Sequence, residues 1–76
     1  MRIVELTEEP VELYKILKFE GMASSGGEAK LVIEQGQVIV NGEVETRKRK
    51  KIVSGDIIEF EDEKICMKLM GMTDDE

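Results

Sequence analysis

The chain has 76 residues, of which 41% are hydrophobic and only 4% aromatic. This length suits one small domain, whose core must be built from Ile, Val, Leu and Met. A single cysteine and no histidine exclude an intramolecular disulfide, a cysteine-pair metal site, an imidazole base and a histidine metal ligand.

The charges are unevenly distributed within a formal net charge of −6. Residues 1–14 balance to −3, residues 15–51 to +3 and residues 52–76 to −6. The overall acidity disfavours a polyanionic partner, but a partner meets the local field, so the basic middle could dock a polyanion. No apolar run is long enough for a signal peptide or a membrane span, so we expect a cytoplasmic protein without a membrane partner.

The first part of the chain predicts a short edge strand over residues 2–6 and then a helix from Val11 to about Glu20. Pro10 fits the first turn of this helix, and Gly21 fits its left-handed cap. The basic residues that lie off its apolar face, and are expected to face solvent, are Lys15 and Lys18.

A second helix is predicted from the capping box Ser25-Gly26-Gly27-Glu28, in which Ser25 and Glu28 each satisfy a free backbone donor. This helix is expected to end at Gly36. Gly21 to Ser24 would join the two helices into a compact helical hairpin.

After the second helix the apolar period changes from 3.6 to 2, as in strands. Asn41-Gly42 is a strong hairpin signal between predicted strands at 37–40 and 43–46. Further strands are expected over 57–61 and 64–69, joined by a turn at Asp62-Glu63.

Together the pattern predicts an α+β fold, with two short helices packed on a small, twisted, mostly antiparallel sheet. A single domain is expected over residues 1–70, followed by an acidic flexible tail over residues 71–76.

Catalytic chemistry is not indicated. The sequence has neither a P-loop nor a dinucleotide-binding glycine motif, and a domain of this size leaves little room for a substrate cleft. We therefore expect no enzyme activity, no cofactor, no metal and no small-molecule substrate.

The main candidate for function is the basic run Arg47-Lys48-Arg49-Lys50-Lys51. In an extended strand Arg47, Arg49 and Lys51 would point to one face, and Lys48 and Lys50 to the other. Adjacent like charges repel one another, so a negatively charged ligand would be needed to favour this arrangement. A solubilising loop, or protection of a strand edge, explains the run equally well.

The N-terminus of helix two is the second candidate, because backbone N–H groups and the helix dipole favour a phosphate oxygen there. Gly26 and Gly27 would permit close approach, and the hydroxyls of Ser24 and Ser25 can donate. Ordinary capping explains Ser25 without a ligand. The basic residues expected nearby are Lys30 on the same helix and Lys15 and Lys18 on the neighbouring one.

The stretch from Leu13 to Phe60, above all residues 21–42 and 54–58, resembles the alpha-L RNA-binding motif. This domain is named for the fourth protein of the small ribosomal subunit, and it also occurs in pseudouridine synthases and bacterial tyrosyl-tRNA synthetases. Residues 44–52 are similar to those of the small stand-alone YbcJ-type members.

The resemblance implies binding of structured RNA, ribosomal or tRNA-like, with ribosomal particles as a further partner. By position it places Ser25 at the start of helix two, Lys30 within it, Gln35 before the glycine and Asn41 at the hairpin tip. The chain departs from the family at Gly26, where many members have Arg, and at Val11 and Glu12, where a basic residue is usual.

The resulting hypothesis is non-enzymatic binding of structured RNA through a basic strand and the N-terminus of helix two. Because aromatics are few, base stacking is expected to contribute little. A protein-interaction adaptor, whose basic surface docks an acidic protein or the acidic residues 74–76, is the alternative. A β-grasp carrier is disfavoured, since such carriers need a C-terminal Gly-Gly and this chain ends Thr73-Asp74-Asp75-Glu76.

Overall fold

The computed structural model describes residues 2–69, which form an α+β fold as predicted. Two helices, α1 (Leu13–Phe19) and α2 (Gly26–Glu34), pack against each other. The strands are β1 (Arg2–Leu6), β2 (Val11–Glu12), β3 (Val38–Val40), β4 (Glu43–Val44), β5 (Lys51–Ile52), β6 (Ile57–Phe60) and β7 (Glu63–Leu69).

Five strands form one sheet in the order β1-β7-β6-β3-β4, and β2 and β5 form a separate two-stranded ribbon. Only the β1–β7 pair is parallel within the described residues, so the mostly antiparallel sheet and the edge position of β1 are confirmed. The predicted acidic tail, residues 71–76, lies outside the described residues.

The core lies between the helices and one face of the sheet, and aliphatic side chains dominate it. Its largest fully buried side chains are Leu13, Leu17, Ile33, Val38, Ile52, Ile58, Ile65 and Met67. Among residues 2–69 no helix is long and apolar enough to cross a membrane.

Both helices end as predicted, on a glycine with left-handed backbone geometry. Gly21 has φ +73° and Gly36 has φ +78°. After α1 the N–H of Met22 donates to the carbonyl of Leu17 at 2.9 Å, which satisfies a carbonyl that the helix would otherwise leave free.

The predicted start of helix one is wrong by two residues, and Pro10 is not in its first turn. Val11 and Glu12 instead form β2, paired antiparallel with Ile52 and Lys51. The reason is a contact distant in sequence, since backbone carbonyls of residues 48 and 50 accept the first N–H groups of α1.

The Asn41-Gly42 hairpin is confirmed, with positive φ at both residues, as a type I′ turn requires. The last predicted turn is displaced by one residue. Glu61, at φ +56°, begins it, so β6 ends at Phe60 and β7 begins at Glu63.

Candidate nucleic-acid interface

The basic run at residues 47–51 is a folded loop, not the extended strand predicted from the sequence. Only Lys51 belongs to a strand. Lys48 and Arg49 form a turn, closed by the N–H of Lys50 donating to the carbonyl of Arg47 at 3.1 Å. The predicted alternation of basic side chains between two faces is therefore wrong.

Glu45 helps to hold the start of this basic loop. Its carboxylate accepts the backbone N–H of Arg47 at 2.9 Å and the guanidinium of the same residue at 2.9 and 3.1 Å. Glu45 is only 9% exposed. The bonds from Arg47 hold the pKa of Glu45 below its ordinary value and raise the pKa of Arg47, so both groups are charged at neutral pH.

The basic loop is attached to the first helix through its backbone. The N–H of Leu13 donates to the carbonyl of Lys50 at 2.9 Å, and the N–H of Tyr14 donates to that of Lys48 at 3.1 Å. These bonds satisfy N–H groups that have no partner inside the helix. The basic side chains of the loop are consequently held beside α1.

Tyr14 lies where this loop meets both helices. The ammonium nitrogen of Lys30 is 4.7 Å from the centroid of its ring, and the guanidinium carbon of Arg49 is 5.8 Å from it. A Cβ atom at Gly26 would lie 3.9 Å from the ring and 3.8 Å from Cδ of Lys18. We call Tyr14, Lys18, Gly26, Lys30 and Arg49 the Tyr14 cluster.

Sequence reasoning missed Tyr14, because the low aromatic content argued against a ring in the site. The available signal was spacing, since Lys18 follows Tyr14 by one helical turn and such residues are neighbours on a helix. Helical spacing could not predict the contacts with Lys30 and Arg49, because those residues are distant from Tyr14 in sequence.

Several exposed cations of this region form ion pairs at the surface. Glu12 lies 3.7 Å from Lys15 and 3.5 Å from Arg49. Glu34 lies 2.8 Å from Lys48. Exposed pairs contribute little to stability and are screened by salt, so these cations can exchange a carboxylate for a phosphate. Within residues 2–69 the lysines without a carboxylate oxygen in salt-bridge range include Lys18, Lys30 and Lys51.

Comparison with known proteins identifies the family of this fold. A model of the S4 domain matches residues 4–68. The chain belongs to the S4 domain family. The YbcJ protein of Escherichia coli (strain K12), whose name describes a candidate RNA-binding protein, is 56% identical over 50 residues, which are 66% of this chain and 71% of YbcJ.

Two further comparisons agree with this family. The RlbA protein of Bacillus subtilis (strain 168), named a probable ribosome maturation protein, is 33% identical over 58 residues, 76% of this chain and 82% of RlbA. The solution structure of E. coli YbcJ, described as having an alpha-L motif involved in RNA binding, superimposes with a TM-score of 0.69. The two chains are 45% identical in this superposition, which covers 90% of this chain and 87% of the YbcJ chain. The resemblance seen in the sequence and the fold class are both confirmed, and this family is one of RNA-binding domains, not enzymes.

The N-terminus of α2 in this S4 domain is capped, though not by the reciprocal pair predicted. The hydroxyl oxygen of Ser25 accepts the N–H of Glu28 at 3.1 Å, as expected. The Glu28 carboxylate, however, accepts the N–H and the hydroxyl of Ser24 rather than the N–H of Ser25, and these bonds lower the pKa of Glu28. The hydroxyl of Ser24 is therefore already used, whereas the N–H groups of Gly26 and Gly27 have no acceptor within residues 2–69.

Two predicted contact residues lie apart from the Tyr14 cluster. Gln35 is at the opposite end of α2 from Gly26 and accepts a hydrogen bond from Gln37 at 2.7 Å. Asn41 accepts the N–H of Ile57 at 2.9 Å and donates to Asp56 at 3.0 Å. These hydrogen bonds give both side chains a structural role without a ligand, and RNA contact by either residue stays a prediction.

The structure shows what surrounds Gly26 and Glu12, two positions at which this S4 domain departs from its family. The space beside Gly26, where many members have Arg, is bordered by Lys18 and Tyr14. Lys18 of the neighbouring helix thus lies beside the position that lacks an arginine. Glu12, where a basic residue is usual, contacts Lys15 and Arg49 and so opposes the positive charge of the cluster.

Among the residues from 2 to 69, no three His, Cys, Asp or Glu side chains form a group that could hold a metal ion.

Proposed function

We propose that this S4 domain binds structured RNA through the Tyr14 cluster and the basic loop 47–51, without catalysing a reaction. The observation that carries the proposal is that cations from two separate segments, Lys30 of α2 and Arg49 of the loop, meet at the Tyr14 ring. Lys18 of α1 borders the same space beside Gly26, and its ammonium nitrogen lies 5.8 Å from the centroid of the Phe19 ring. Of the three segments compared above, only residues 15–51 have a positive charge balance.

Two kinds of donor converge in the Tyr14 cluster. The lysine and arginine side chains supply positive charge, and Gly26 and Gly27 supply unpartnered backbone N–H groups at a helix N-terminus, where a phosphate oxygen is favoured. Hydrogen bonds from such groups position a phosphate backbone but do not read its sequence. Recognition should therefore follow the shape and the backbone of the RNA.

The hydrogen bonds that hold the loop support this proposal. Glu45 holds Arg47, and the backbone carbonyls of Lys48 and Lys50 are bonded to α1, so the cations are positioned before a ligand arrives. A preorganised surface loses less conformational entropy when it binds. Ribosomal RNA is the favoured class of ligand, because the relative RlbA is named for ribosome maturation.

The decisive experiment is a salt titration of binding to an RNA hairpin with an unpaired loop. If four or five phosphates are neutralised, log affinity should fall with log salt at a slope of roughly −3 to −4. Changing Lys18, Lys30 and Arg49 together to Gln should remove most of the binding. The matched control changes Arg2, Lys64 and Lys68 to Gln, which alters the net charge equally outside the cluster.

Three outcomes would contradict the proposal. They are a slope near zero, equal losses in the two triple variants, and an RNA hairpin that is recovered cleaved or chemically modified after incubation with the protein. Co-sedimentation with ribosomal particles at low salt, lost in the cluster variant alone, would support a ribosomal ligand.

A further inference from the structure

A groove of about 560 Å³ runs between β1 and α1 and plays no part in the Tyr14 cluster. Its floor is apolar and includes Val4, Leu6, Ile16 and Met67, all buried in the core. Phe19 stands on its border with 68% of its surface exposed. A single exposed apolar side chain is ordinary, but an exposed aromatic ring beside an apolar groove is typical of an anchor for a partner.

The rim of this groove is mainly acidic. Glu12 and Glu20 are paired with cations, whereas Glu5 and Glu8 form no ion pair with any residue from 2 to 69. The charged side chains that line the groove are Glu5, Glu8, Glu12, Glu20, Lys15 and Lys51. Carboxylates outnumber cations in this lining, so the groove favours a cationic partner.

The strand beside the groove has an open edge. β1 is the terminal strand of the five-stranded sheet and pairs on one side with β7. In a parallel pair every second residue directs its N–H and C=O toward its neighbour, so the remaining residues of β1 direct theirs to the open edge. An extended peptide can add to such an edge through main-chain hydrogen bonds.

We propose that the groove between β1 and α1 is a docking site for an extended protein segment in which apolar and basic residues alternate. The segment adds to β1 as a further strand. Its apolar side chains enter the groove beside Phe19, and its basic side chains meet Glu5 and Glu8. A strand has a period of two residues, which matches this alternation of an apolar floor and an acidic rim.

A second copy of the chain fits this groove less well. If two β1 strands paired with each other, each would offer the other one cation, Arg2, and one carboxylate, Glu5, followed by the carboxylates of Glu8 and Glu9, so the added segment would carry more negative than positive charge. Like charges across an interface oppose association. The charge of the rim therefore favours a different, basic chain.

The test uses the full chain and a capped peptide of three Val-Lys repeats, followed by the NMR shifts of the β1 amides. We expect saturable shifts at β1 and Phe19. Glu5→Lys combined with Glu8→Lys should weaken binding about tenfold, and Phe19→Ser should weaken it by a similar factor. The matched control, Glu43→Lys with Asp62→Lys, reverses two exposed charges outside the groove and should change affinity less than about twofold.

Two control peptides separate strand addition from charge attraction alone. A Val-Glu peptide of equal length should not bind. A Val-Lys peptide with methylated backbone nitrogens keeps its charge but cannot donate main-chain bonds, so it should bind at least about tenfold more weakly. The proposal is overturned if the methylated peptide binds equally, if β1 amides do not shift, or if sedimentation shows a dimer that Phe19→Ser abolishes. RNA affinity is measured in parallel, and Phe19→Ser should change it by less than about fivefold, because only the contact of Lys18 with the ring, at 5.8 Å, is lost there.

Discussion

The ammonium nitrogen of Lys30 lies 4.7 Å from the centroid of the Tyr14 ring, and this contact joins α2 to α1 at the proposed RNA surface. The face of an aromatic ring attracts a cation electrostatically. Arg49 approaches the same ring from the basic loop at 5.8 Å. Tyr14 thus contacts two cations that come from different segments of the chain.

Replacing Tyr14 by Leu should therefore weaken RNA binding, by about threefold to tenfold if each cation loses a contact of ordinary strength. Tyr14→Phe keeps the ring face and should bind within about twofold of the wild type. Affinity for the RNA hairpin is the measurement, with thermal unfolding of both variants as the control for folding. Equal affinity of the Leu and Phe variants would show that the ring does not organise the site.

Glu12→Gln should tighten RNA binding. Glu12 pairs with Lys15 and Arg49, and its removal frees both cations and removes a negative charge. We expect a gain of about twofold to fivefold at low salt, the range for exposed ion pairs, with a smaller gain at high salt. Glu20→Gln, which releases Arg2 instead, is the matched control and should leave affinity unchanged. A loss of affinity in Glu12→Gln would mean that Glu12 positions Arg49 rather than opposing it.

Gly27→Ala should stabilise the fold but weaken RNA binding. Gly27 lies in α2, and a Cβ atom there would meet only the Ser25 hydroxyl oxygen, at 3.8 Å. The added methyl group should raise the free energy of unfolding by about 0.4–1 kcal/mol, because it restricts the unfolded chain. RNA affinity should fall if a phosphate approaches the backbone at this helix end. Denaturant unfolding and RNA titration measure the two effects, and a stabilised variant with unchanged affinity would refute the backbone contact.

The basic loop should loosen at acidic pH. Bonds from Arg47 hold the pKa of Glu45 below its ordinary value of 4.5. The stability that the ionised carboxylate contributes is therefore fully present above pH 4.5 and is lost as the pH falls through the lower, folded-state pKa. The amide shift of Arg47, whose N–H donates to Glu45, should titrate with a midpoint below 4.5.

The control for this titration is Glu45→Gln, in which the same amide should not titrate over that range. This variant also replaces a hydrogen-bonded charge by a neutral amide, and we expect the free energy of unfolding to fall by about 1 kcal/mol at pH 7. A midpoint above 4.5 in the wild type would contradict the arrangement of Glu45 and Arg47 described above.

Features that depend on neighbours in sequence could be predicted from the sequence. Gly21 and Gly36 end their helices, and Asn41-Gly42 forms the hairpin, because each requires a positive φ that few other residues adopt easily. Ser25 caps α2 through a bond to a residue three positions away. These elements, and the alternation of buried residues in the strands, were sufficient for the fold class.

Features that depend on contacts between residues distant in sequence could not be predicted from the sequence. The start of α1 is set by carbonyls of Lys48 and Lys50, which no local pattern reveals. The basic run was expected to be a strand, because composition does not show that Glu45 would bond to Arg47 and help hold the turn. Lys18, Lys30 and Arg49 were each candidates, but only the structure shows that Tyr14 lies among them.

The bonds between the carbonyls of the basic loop and the first amides of α1 also constrain when the RNA surface can exist during synthesis. Leu13 and Lys50 are bonded to each other, so a nascent chain that has emerged only as far as α2 lacks both the loop and the partners of its first helix. Translation supplies residues from the N-terminus onward. A growing chain would therefore be unable to capture RNA through this surface until residues 47–51 had left the ribosome, after both helices.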